Sequence, residues 1–358
     1  MVSFLGRRLM VDTGYIQLIG VKSVYWECWW WSTRQNCVTD SAVVLILIKM
    51  ELVLNKLRVG LFVILLFSWI GQSWAGFSEA MAASEKGDYK TAVIEFRLAA
   101  EQGDAKAQYN LAVMYFKGQG VVQSDQEAGK LYRSAAEQGH SRAQFNLAVM
   151  YFEGQGVVQS DQEAEKWFRL SAKQGVARAQ FNLGLFYYTG KGVVQSDQEA
   201  AKWHRLAAEQ GLASAQFNLG KMYDNGTGVL QDDKEAAKWY RLAAEQGLAS
   251  AQVGLGLMYS KGKGVLQDHK EAAKWYRLAA KQGDATSQFN LGLIYDSGSG
   301  TLQNYILGHM WANLAAYNGY SRAKDLRQLI AEKMSSTQTS EAQKLAQKCL
   351  ASNYKNCG

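Results

Sequence analysis

Proline is absent from all 358 residues, although average usage is about 5%. That absence excludes polyproline ligands, proline-stiffened linkers and cis-proline turns, and it lets helices run almost uninterrupted. Catalytic signatures are missing too: HExxH, GxSxG, GxGxxG, the P-loop and CxxC do not occur. Metalloprotease, hydrolase, dinucleotide and redox chemistry therefore have no motif to rest on, and no cofactor is expected. The four histidines, His140, His204, His269 and His309, are scattered and have no ligand partner three or four residues on, so no metal site is expected either. The charge-rich, apolar-poor signature of disorder is lacking as well, since 48% of residues are hydrophobic and 20% charged.

The first 75 residues differ from the rest. They hold six of the eleven tryptophans, and no helical or strand period organises residues 1–49. From Met50 a secretory pattern follows: Lys56 and Arg58 precede the apolar run Val59 to Ile70, and Ser73-Trp74-Ala75 is a small-x-small cleavage site. Twelve apolar residues make about 18 Å of helix against a hydrocarbon core of roughly 30 Å, which favours export over anchoring. The expectation is a signal peptide at 50–75, a start at Met50, an upstream extension at 1–49, and a periplasmic or secreted chain beginning at Gly76. No stable membrane insertion is expected after cleavage.

The net charge of +7 loses its meaning once those 75 residues are set aside. They carry seven Lys/Arg and four Asp/Glu, leaving 32 basic against 28 acidic residues. Nucleic acid is not an expected partner. Only Cys349 and Cys357 remain beyond residue 75. An even pair in an oxidising compartment predicts a disulfide closing a short loop.

What the remainder does have is a period of 36. Gly103, Gly139, Gly175, Gly211, Gly247, Gly283 and Gly319 keep that spacing, as do Trp167, Trp203, Trp239, Trp275 and Trp311, and Tyr115 through Tyr295. Within residues 140–175, Ala143, Leu147, Ala148, Met150 and Tyr151 form one buried stripe of a helix over Ser141 to Glu153. Gly154-Gln155-Gly156 ends it, and Val157 and Val158 offer an apolar loop contact. Ser160 or Asp161 can cap a second helix, with Glu163 completing a capping box. Ala164, Trp167, Phe168, Ser171 and Ala172 give that helix its inner face, and Gly175 ends it. A lone hairpin cannot bury its apolar face, so neighbouring units must stack, with Tyr151 and Trp167 filling the gaps between them.

The string Ala-Gln-Phe-Asn-Leu-Gly at 215–220, followed by Met222-Tyr223, Gly226-x-Gly228-Val229 and Glu235 to Gly247, resembles the Sel-1-like repeat, a relative of the tetratricopeptide repeat. The resemblance covers residues 77–333: a capping unit at 76–103, six full units from 104–139 to 284–319, and closing helices (Ser321 to Lys333 and Ser340 to Leu350) with a tail over 320–358. The family usually has proline after the Gly-x-Gly-Val turn, where this chain has Val122, Val158, Val194, Leu230, Leu266 and Leu302. The resemblance implies an all-α, right-handed α-solenoid that serves as a scaffold for a protein or peptide partner. One alternative is an envelope enzyme acting on peptidoglycan or β-lactams through Ser260, Ser321 or Ser352, each in a Ser-x-x-Lys tetrapeptide but without Ser-Asp-Asn or Lys-Thr-Gly. Another, an intracellular regulatory adaptor, requires the signal peptide to be wrong.

In the tetratricopeptide relatives the first helix of each unit lines a concave groove. Here the positions facing it are Lys106, Arg142 and Arg178, giving way to Ser214, Ser250 and Thr286, and then the row Tyr109, Phe145, Phe181, Phe217, Val253, Phe289. One turn further come Val113, Val149, Leu185, Lys221, Leu257 and Leu293. Asn110, Asn146, Asn182, Asn218 and Asn290 run beside the aromatic row, interrupted by Gly254. Such a groove suits an extended peptide that is acidic or presents its C-terminus. The competing reading packs the aromatic row between repeats and turns the asparagines to local backbone. The second-helix ladder Lys130 to Lys274 has a glutamate three residues before each lysine and reads as a solvated outer face.

Overall fold

The computed structural model describes residues 76–357; the expected signal peptide and upstream extension lie outside them. Sixteen helices and no strand occur among the described residues. They are α1 (76–85), α2 (Tyr89–Glu101), α3 (Ala105–Lys117), α4 (Asp125–Glu137), α5 (Ser141–Glu153), α6 (Asp161–Lys173), α7 (Ala177–Thr189) and α8 (Asp197–Glu209). There follow α9 (Ala213–Asn225), α10 (Asp233–Glu245), α11 (Ala249–Lys261), α12 (His269–Ala280), α13 (Ala285–Ser297), α14 (Tyr305–Tyr317), α15 (Ala323–Ala331) and α16 (Ser336–Ala351). From α3 to α14 each odd-numbered helix pairs with the next to form a hairpin, and each hairpin stacks on its successor. The chain is an α-solenoid with the 36-residue period read from its sequence.

Local chemistry sets these boundaries. Every first helix from α3 to α13 ends at a left-handed glycine, Gly154 (φ 72°) in α5 for example, a conformation that costs other residues about 1–2 kcal/mol. Every second helix from α4 to α14 starts at a side-chain cap: Ser124, Ser160, Ser196, Asp232, Asp268 or Asn304. The expected capping box at Ser160 forms only by half. Ser160 accepts from the Glu163 amide, but the Glu163 carboxylate turns to Lys166 and the Trp167 indole. Of the two loop valines only Val157 packs inward, whereas Val158 is 87% exposed. The closing helices also differ from expectation. The last starts at Ser336, four residues earlier than read, because Ser335 and Gln338 form a reciprocal capping box there.

Each unit buries a leucine at the same phase, Leu111, Leu147, Leu183, Leu219, Leu255 and Leu291, surrounded by alanines that let the helices approach closely. Two polar seams tie unit to unit. In one, a buried glutamine in each first helix donates to a carbonyl of the preceding second helix and accepts from the amide closing its own hairpin, as Gln144 does with Ala136 and Gln174. In the other, each second-helix arginine reaches the tyrosine of the next unit, as Arg169 does with Tyr187 at 2.9 Å and Arg241 with Tyr259 at 2.7 Å. The arginines are therefore ties between units. The lysines do follow the spacing, pairing with glutamate three residues back, Lys130 with Glu127 at 2.7 Å for example.

At the C-terminal end the tail folds onto the last hairpins. Cys349 and Cys357 are bonded, with a Cα–Cα distance of 4.6 Å, and both are buried among Tyr276, Leu291, Trp311 and Leu314. This fixes Tyr354, whose hydroxyl donates to Asn318, which in turn donates to Gln288, so the tail terminates the glutamine seam. Opening the bridge is expected to weaken the last units by about 2–3 kcal/mol, because the closed loop is short. Amide exchange should accelerate over 285–357 and stay unchanged over 105–248. Acceleration along the whole chain, or none, would contradict this local role.

Candidate functional site

The first helices present one partly open face. Lys106, Arg142 and Arg178 are exposed on it, and none makes an ion pair among the described residues. The carboxylates Asp224 and Asp296, on the later first helices α9 and α13, are each held by a lysine, Lys263 and Lys333 respectively. The second-helix lysines are neutralised, whereas these cations are not. Positive charge therefore accumulates on the first-helix face.

Tyr109, Phe145, Phe181 and Phe217 are half-buried. Each packs on a ring of the second helix of its own hairpin: Tyr132 at 5.9 Å, Phe168 at 5.8 Å, His204 at 5.4 Å and Tyr240 at 5.7 Å between centroids. These rings therefore pack within their own hairpins and stay partly exposed, Tyr109 also stacking on His140 at the start of the next unit. The asparagines divide. Asn110 donates to the Lys106 carbonyl, Asn146 hydrogen-bonds the Tyr132 hydroxyl, Asn218 lines a cleft, and Asn182 is partly open.

Two recesses lie on this face. One of about 120 Å³ is lined by Leu185, Tyr188, His204 and Asn218; another of about 380 Å³ is lined by Phe217, Tyr240, Val253 and Leu257. Lys221 and Asn225 border both. His204 is 1% exposed, its Nδ1 has no partner, and burial pushes its pKa down to about 4. His140 caps α5 and stacks on Tyr109 at 4.6 Å; burial, then Arg142 and Lys106, hold its pKa below the usual imidazole range.

One candidate position escaped the sequence reading. Arg322 falls at the phase of Lys106, Arg142 and Arg178, four periods beyond the last of them, and lies over the Phe289 ring at 5.8 Å. Counting the period into the closing helices would have found it, so cations stand at both ends of the row.

In two of the three Ser-x-x-Lys tetrapeptides a member is engaged elsewhere: Lys263 pairs with Asp224 and Asp233, and Ser352 donates to the Cys349 carbonyl, while Ser321 is exposed. No group of three or more His, Cys, Asp or Glu among the described residues could hold a metal ion. No helix among them is long and apolar enough to cross a membrane.

Comparison with known proteins agrees with the architecture. Residues 105–140, 141–176, 177–212, 213–248, 249–284 and 285–320 each match the Sel1 repeat. Among solved structures, a Sel1 repeat protein from Oxalobacter formigenes is 33% identical with a TM-score of 0.58, over 68% of this chain and 96% of that one. The protective antigen c5321 of uropathogenic Escherichia coli strains, which displays an SLR fold, is 30% identical with a TM-score of 0.56, over 79% of this chain and 70% of that one. No curated protein matches the chain in sequence. With six consecutive matches spanning more than half of its length, the chain belongs to the Sel1 repeat family.

Proposed function

We propose that this protein is an exported, non-catalytic scaffold whose first-helix face binds an extended segment of a protein partner bearing acidic residues. Sel1 repeat proteins generally mediate protein–protein interaction, which sets the class of function. The observation that carries the finer reading is the unpaired state of Lys106, Arg142 and Arg178 beside half-open aromatic rings. A salt bridge inside the protein would have neutralised them, as Glu127 does for Lys130. An acidic partner supplies the missing charge, and the aromatic rings supply apolar contact area.

Replacing Arg142 and Arg178 together by alanine is expected to lower retention of the partner from an envelope extract at least tenfold. It should flatten the salt dependence and leave the melting temperature nearly unchanged, because exposed charges contribute little to stability. Equal retention by the double variant would move the binding surface to the second helices or the loops. Export itself is supported by the n-region, apolar run and cleavage site at 50–75. Mass spectrometry of the chain recovered outside the cytoplasm should find an N-terminus near Gly76 and the Cys349–Cys357 bridge intact. A chain retained in the cytoplasm with free thiols would favour the intracellular adaptor instead.

A further inference from the structure

The aromatic and asparagine rows break at the same unit, and the break opens the larger cleft. Where neighbouring units carry phenylalanine and asparagine, α11 carries Val253 and Gly254. The shorter valine leaves space above Leu257. A side chain at Gly254 would stand 3.3 Å from the buried Tyr240 ring, so glycine avoids crowding that ring and adds no bulk to the recess. The result is a recess of about 380 Å³, at the small end of the range for ligand pockets. Its floor is apolar (Phe217, Val253, Leu257) and its border cationic (Lys221, Lys261). Lys221 stands where other units have valine or leucine, and neither Lys221 nor Lys261 makes an ion pair among the described residues. Lys263, the third lysine there, is already held by Asp224 and Asp233.

We infer that this recess is a specificity pocket that takes one aromatic side chain of the bound segment, with a neighbouring carboxylate of that segment on Lys221. The inference rests on the groove reading and adds the identity of the side chain it selects. An apolar floor of this size fits a single ring, and two unpaired ammonium groups on the border call for an acid beside it. A neutral aliphatic segment leaves both cations unused.

The test is titration of the purified protein with the blocked peptide acetyl-SGDFEGS-amide and its Phe-to-Ala counterpart, followed by backbone amide shifts. The phenylalanine peptide should shift Gly254, Leu257 and Lys221 and bind at least tenfold more tightly than the alanine peptide. The double variant Val253→Phe/Gly254→Asn restores the pattern of the other units and fills the recess; it should lose at least tenfold in affinity. Lys221→Leu, an exposed change to the residue found at 185 and 257, should weaken binding and reduce its salt dependence if the double variant fails to fold. Equal affinity for both peptides, shifts confined elsewhere, or unchanged binding by these variants overturns the pocket. If Arg142→Ala/Arg178→Ala loses the partner while the pocket variants keep it, the groove stands and the pocket falls. The opposite pattern keeps the pocket and removes the extended groove.

Discussion

Gly264→Ala is expected to split the solenoid into two separately unfolding blocks. Gly264 has φ +69°, and a Cβ there would stand 2.0 Å from the carbonyl oxygen of Asp233 and 2.4 Å from its carbonyl carbon. The obstacle is backbone at the first residue of α10, so no side-chain rotation relieves it. The loop of one hairpin would have to lift off the start of the preceding second helix, taking Lys263 away from Asp224 and Asp233. Left-handed strain of about 1–2 kcal/mol and overpacking of about 1–3 kcal/mol together suggest a loss of about 2–5 kcal/mol at one junction. A solenoid is held by nearest-neighbour interfaces, so damage at one of them should appear as two transitions in a urea melt. Gly247→Ala is the control: φ is +89° but nothing lies within 4 Å, so only the left-handed strain applies. A single transition at the wild-type midpoint for Gly264→Ala would show that the junction adapts and the contact is unimportant.

Acidification is expected to destabilise the middle of the array through His204, and His204→Tyr to remove that sensitivity. Burial holds the imidazole neutral, lowering its pKa from 6.5 to about 4. Above pH 6.5 folded and unfolded states are both neutral at this residue, and stability is unaffected. Between pH 6.5 and 4 the unfolded chain binds a proton that the folded chain refuses, so stability falls as pH falls. The loss approaches about 3 kcal/mol near pH 4. Around the ring lie Phe181, Gly184, Leu185 and Asn218, with Lys221 on the same recess, and no carboxylate that would hold the charged form. Tyrosine fills the same phase at Tyr240, against the equivalent Gly220, so the replacement suits its surroundings. Wild type and variant should have similar urea midpoints relative to each other at pH 7 and diverge by about 2–3 kcal/mol at pH 4.5. Parallel curves would mean that the protonated ring reaches solvent through the neighbouring recess.

The 36-residue period of glycine, tryptophan and tyrosine, together with the Ala-Gln-Phe-Asn-Leu-Gly string, determined the helix hairpins, their stacking and the family. These are properties of spacing: a buried stripe recurs every 3.6 residues and a left-handed stop needs glycine, so both can be counted along the chain. The glutamate three residues before each second-helix lysine made that ion pairing legible for the same reason.

How far the first-helix aromatics were covered depended on which ring lay 23 residues away in the paired helix, and Tyr109, Phe145, Phe181 and Phe217 ended half-buried. The recess at Val253 and Gly254 arises because Tyr240 comes from the preceding hairpin, and the arginine–tyrosine ties span 18 residues across a hairpin junction. Exposure, charge compensation and cavity volume are sums over neighbours from different units. The repeat period determined which residues recur; only the tertiary packing of one hairpin on the next decided which were neutralised, which were covered, and where a recess remained.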